Sequence, residues 1–67
     1  MDKPTDTAKR INDRLGFYAS NYRVFIEKGL FTFRHVVSEE VEASFRDGID
    51  AGIFANILIR EARNKKK

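Results

Sequence analysis

Residues able to do chemistry are few in this 67-residue chain, and the most suggestive are basic and aromatic. Arg14, Arg23, Lys28 and Arg34 interleave with Phe17, Tyr18, Tyr22, Phe25, Phe31 and Phe33, the composition of a surface that stacks bases and neutralises phosphates. The spacing points elsewhere. Tyr18, Tyr22 and Phe25 fall on one face of a helical pattern, so they read as core or dimer-interface residues. His35 has no converging ligands in the sequence and reads as structural. The pairs Glu39/Glu42 and Asp47/Asp50 could in principle divide acid and base roles, but carboxylates one helical turn apart are ordinary on a solvated face. No phosphate loop, zincin helix or nucleophile elbow is present. The reading is therefore a protein with no catalytic, cofactor-binding or metal-ligating residues, and not an enzyme.

Charge sharpens that reading. Residues 60–67 carry Arg60, Arg63, Lys65, Lys66 and Lys67 against Glu61, a net of +4 that leaves the first 59 residues at −1 within the overall +3. Such an end attracts phosphate backbones or acidic surfaces. With no cysteine, the chain has no disulfide framework, thiolate metal site or cysteine nucleophile. Its start lacks an apolar signal segment, and the stretch 53–59 is far too short to span a bilayer. A cytoplasmic protein without membrane contact is expected.

The elements that would position these residues follow from periodicity. Ile11, Leu15, Tyr18, Tyr22 and Phe25 recur at steps of 4, 3, 4 and 3, which predicts an amphipathic helix over 7–28, entered through Pro4 and stopped by Lys28-Gly29. Residues 30–37, rich in aromatic and β-branched side chains, are the one credible strand. Ser38 followed by Glu39 and Glu40 resembles a capped helix start, with Val41, Phe45 and Ile49 at steps of four. A break within 47–52 then leads into a last helix over 53–63 with Ile53 and Ile57 buried. The expected fold class is mainly α: an N-terminal amphipathic helix, one short strand, then two helices. Residues 1–6 form a flexible lead, 7–64 a single small domain and 65–67 a basic tail. So small a core is marginal alone, and a strand without a partner in its own chain must find one elsewhere.

From the strand onward, the order of strand, Ser38 cap, helix with Val41 and Phe45, glycine at 52 and apolar helix through Ile57 and Leu58 makes residues 31–64 similar to a ribbon-helix-helix DNA-binding domain. The resemblance implies an intertwined homodimer in which strands from two chains pair antiparallel and enter the major groove of double-stranded DNA. It also implies that Phe33 and His35 face inward and Thr32, Arg34 and Val36 face DNA. The resulting expectation is a small DNA-binding regulator or accessory factor. Thr32 and Arg34 would contact bases, Arg60, Arg63, Lys65, Lys66 and Lys67 would hold phosphates, and Ile11, Leu15, Tyr18, Tyr22, Phe25, Phe31 and Phe33 would form the interface. The alternative is a protein-binding inhibitor or adaptor that docks a helix face, or adds its strand to a partner's sheet. A helical homodimer with its seam at 11–25 is a third arrangement.

Overall fold

A computed structural model describes residues 3–65. Helix α1 (Pro4–Tyr18) leads into three strands, β1 (Tyr22–Glu27), β2 (Leu30–His35) and β3 (Val41–Phe45), and the chain closes with helix α2 (Gly48–Lys65). The strands form one antiparallel sheet in the order β1-β2-β3. This is an α+β fold, and it overturns the expectation of a mainly helical chain with one strand. The segment 30–37 finds both of its partners within its own chain, so no second molecule is needed to complete it and the intertwined dimer loses its basis.

Each difference has a local cause. Helix α1 begins at Pro4, whose fixed φ and missing N–H suit the first helical position, so residues 4–6 are its first turn rather than a loose lead. It ends at Tyr18, where the Ala19 N–H donates to the Leu15 carbonyl at 2.7 Å. The 3–4 spacing persists past that point only because Tyr22 and Phe25 also satisfy it; the chain there follows period 2, with Val24 buried between exposed Arg23 and Phe25. Lys28 and Gly29, at φ 54° and 76°, are the two-residue type I′ turn of a β-hairpin, not a helix stop. Ser38 starts no helix either. Its Oγ accepts from the Glu40 N–H at 3.3 Å, and the Glu39 N–H donates to the His35 carbonyl at 2.8 Å, closing a turn in which Glu39 sits at φ 61°.

Asp47-Gly48, read as a break, is the start of one uninterrupted α2. The Asp47 Oδ1 accepts from the Ile49 N–H at 2.8 Å, a side-chain N-cap. Gly48 allows close approach, since a Cβ there would lie 3.0 Å from Thr7 Cγ2.

Both helices cover one face of the sheet. Leu15, Val24 and Phe33 are fully buried at the centre, with Ile11, Phe31, Leu58 and Ile59 around them, and Ala8, Ala51 and Ala55 hold the helices close. Phe33 sets its ring against Phe45 and Phe54, centroids 5.9 and 4.9 Å away in edge-to-face geometry. Ile11, Leu15, Phe31 and Phe33, expected at a dimer seam, are thus spent on the monomer's own core. Tyr18 and Phe25 are exposed, and Tyr22 is half-buried with its ring edge-on to His35. The expected burial of Ile53 and Ile57 fails as well. α2 turns Ala51, Ala55, Leu58 and Ile59 inward, and the two isoleucines lie outside.

The two sheet edges differ. Asn12 of α1 donates through Nδ2 to the Val24 carbonyl at 2.9 Å and accepts through Oδ1 from the Val24 N–H at 2.7 Å, so one side chain occupies both outward backbone groups of β1 at that residue. Among the described residues, no strand covers the outer edge of β3. None of the described helices is long and apolar enough to cross a membrane.

Asn12→Ala strips both partners from Val24 and lowers stability by about 1–3 kcal/mol. Asp47→Ala removes the α2 cap at a cost of about 1 kcal/mol. The sites share no partner, so urea denaturation of the double variant gives the sum of the single losses to within about 0.5 kcal/mol.

Candidate nucleic-acid interface

The helices run side by side in the same direction. Thr7 lies against Gly48, and about two turns further on the Arg14 Nη2 donates to Asn56 Oδ1 at 2.7 Å. Positions 56, 60 and 63–64 form one row along α2, and that row flanks Arg14 across a groove of about 360 Å³ lined by Arg14, Asn56, Ile59, Arg60, Arg63 and Asn64. Three guanidinium groups and two carboxamides converge over an apolar floor. Among the described residues, no carboxylate lines the groove; Glu61 lies one step round the helix, lining the neighbouring cleft with Phe17, Tyr18 and Lys65. Because Asn56 accepts with its oxygen, its amide N–H groups remain donors. Arginine is the side chain best suited to such a place: always charged, planar and able to present paired N–H groups to an anion's oxygens. Arg60, Arg63 and Lys65 also lie near the C-terminus of α2, where cations offset the helix dipole.

The opposite face of the sheet is open and its electrostatics are different. Arg23, Phe25, Glu27, Arg34, His35, Val36 and Glu39 line a broad depression of about 530 Å³. Arg34 commits three of its five N–H groups there. Its Nε and Nη2 donate to Glu27 at 2.9 and 2.8 Å, a bidentate pair, and its Nη1 donates to the Glu39 carbonyl at 2.8 Å. The hydrogen bonds from Arg34 hold the Glu27 carboxyl below its ordinary value, and Glu27 in turn raises Arg34. In the strand register these two residues flank the Phe25–Thr32 pair, so their side chains meet across it. Thr32, already between Phe25 and Ser44 on its neighbouring strands, is left only 5% exposed.

The structure therefore separates the residues expected to contact DNA. Thr32 is buried and offers nothing to a base edge, and Arg34 is held by Glu27 and the Glu39 carbonyl through three of its five N–H groups, on a face away from the helices. Arg60 and Arg63 share one groove, and Lys65 lies a half-turn beyond it. Lys66 and Lys67 are outside the described residues. Arg14 and Asn56 were not anticipated. No spacing in the sequence pairs them; they come together only once α1 and α2 are set side by side in the same direction. His35 is a turn organiser, its Nδ1 accepting from the Val37 and Ser38 N–H groups at 3.3 Å each. Among the described residues, no cluster of three or more His, Asp or Glu could hold a metal ion. No family model, curated protein or solved structure matches the chain.

The Glu27–Arg34 pair makes a signed prediction. Because the folded-state pKa of Glu27 is depressed, its contribution to stability is complete above the unfolded value near 4.5 and is lost as pH falls through the lower folded value. Thermal unfolding followed from pH 7 to pH 3 loses part of its acid-side slope in Glu27→Gln, whose stability at pH 7 is already reduced. An unchanged slope shows that the pair is not formed in solution.

Proposed function

We propose that this protein is a small DNA-binding accessory factor that grips the phosphate backbone of double-stranded DNA through the groove between α1 and α2, without reading base sequence. One observation carries the reading: Arg14, Arg60 and Arg63 converge with Asn56 and Asn64 in a groove lined by donors and by no carboxylate. Phosphate oxygens are acceptors with full negative charge, so a surface that offers only donors matches them. The burial of Thr32 and the engagement of Arg34 argue against sequence-specific contacts from the strands, because base readout needs side chains with unspent donors or acceptors. A cytoplasmic location suits such an activity.

The test is the salt dependence of binding to a labelled random duplex, followed by fluorescence anisotropy. Each arginine that displaces a counterion contributes about −0.9 to the slope of log K against log salt. Replacing Arg14, Arg60 and Arg63 together by alanine flattens the slope by about 2.7. Arg23→Ala, exposed on the opposite face, leaves it unchanged. Equal slopes for wild type and the triple variant contradict the reading.

A second reading, a protein-binding adaptor, is favoured by the uncovered outer edge of β3, which can accept an extended segment from a partner. In that case amides of residues 41–45 exchange slowly in the presence of the partner and quickly without it.

A further inference from the structure

The cleft on the other side of α2 from the arginine groove collects features that favour a cation. Phe17 and Tyr18 at the end of α1 and Tyr22 at the start of β1 line it, over Leu58 of α2, and it encloses about 260 Å³. Phe17 and Tyr18 are 79% and 44% exposed. Their ring centroids lie 4.9 Å apart with the planes at 60°, so the two rings form a corner rather than a flat stack. Tyr22 is set edge-on to His35, with centroids 5.4 Å apart. Three aromatic rings thus border one small space, and the negative face of such a ring attracts a cation.

Fixed charge points the same way. Glu61 lines the cleft and has no ion pair among the described residues. Helix α1 ends here with no basic residue in its last turn, and the carbonyls of Gly16, Phe17 and Tyr18 accept from no backbone N–H. The negative end of that helix dipole is therefore uncompensated. Lys65, four residues after Glu61, also lines the cleft but is exposed; a primary ammonium is strongly hydrated, and this one serves the C-terminus of its own helix.

We propose that this cleft binds a methylated ammonium group, carried by a small free ion or by a modified lysine side chain. Such a group donates no hydrogen bond and needs what the cleft supplies: ring surface for its methyls, and a carboxylate and a helix end for its charge. Because Arg14, Arg60 and Arg63 line a separate groove, the inference stands whether or not that groove binds DNA.

The test is a chemical-shift titration of the isotope-labelled protein with choline at constant ionic strength. Amide shifts saturate with a dissociation constant of about 1 mM and are confined to residues 17–22 and 58–65. The neutral isostere of choline, with a tert-butyl group in place of trimethylammonium, binds at least about fivefold more weakly. Phe17→Leu, at an exposed position, and Glu61→Gln each weaken choline by about threefold or more, and Lys65→Met, which removes a competing cation, strengthens it. A short peptide carrying trimethyllysine separates the sources. Tighter binding than choline, with shifts that spread beyond the cleft, upholds the site and assigns the group to a protein side chain; affinity no higher than choline's upholds it for a free ion. Equal binding of choline and its neutral isostere overturns the proposal, as do shifts that never saturate or that Phe17→Leu and Glu61→Gln leave unchanged.

Discussion

The structure depends on the burial of three consecutive residues, Phe31, Thr32 and Phe33, in the central strand. Successive side chains of a strand point to opposite faces, so burial of all three requires cover on both faces, and the backbone between them requires a partner on both edges. β1 and β3 supply the edges. The helices cover Phe31 and Phe33 on one face, and Phe25, Ser44 and the Glu27–Arg34 pair shield Thr32 on the other. The hairpin turn at Lys28-Gly29 and the parallel setting of α1 and α2 are arranged around that strand.

Arginine has two fates in this molecule, set by what surrounds it. Arg34 meets a carboxylate in bidentate geometry and a backbone carbonyl, so it serves as structure, fastening the open face of the sheet. Arg14, Arg60 and Arg63 share a groove with carboxamides and no carboxylate. Arg14 makes one hydrogen bond there, to a neutral group. The residue type is the same, and the supply of internal acceptors separates a structural cation from one suited to an external anion.

The helix face of Ile11 and Leu15 was legible in the sequence, as were a strand starting at Leu30, which ends at His35 rather than at 37, and the basic character of Arg60 and Arg63. Two ambiguities of period hid the rest. Tyr22 and Phe25 continue a helical spacing while belonging to a strand that alternates through Val24, and Val41 and Phe45 are separated by four, a distance that keeps one face in either period. Lys28-Gly29 and Asp47-Gly48 were recognisable as left-handed and turn-like signals, but a glycine after a polar residue serves a hairpin, a helix end or a helix start, and the flanking elements decide which. The groove was half legible. Arg60 and Arg63 are neighbours along α2, whereas Arg14 joins them only through the parallel packing that Ala51, Ala55 and the close approach at Gly48 allow.

The most direct test of the central claim is a chemical-shift map of the isotope-labelled protein on titration with a short random DNA duplex. The account predicts that the side-chain amides of Asn56 and Asn64 and the Nε–H groups of Arg14, Arg60 and Arg63 move together, while Arg23, Phe25 and Arg34 on the open face of the sheet stay in place. Shifts confined to that open face, with the groove undisturbed, would contradict it.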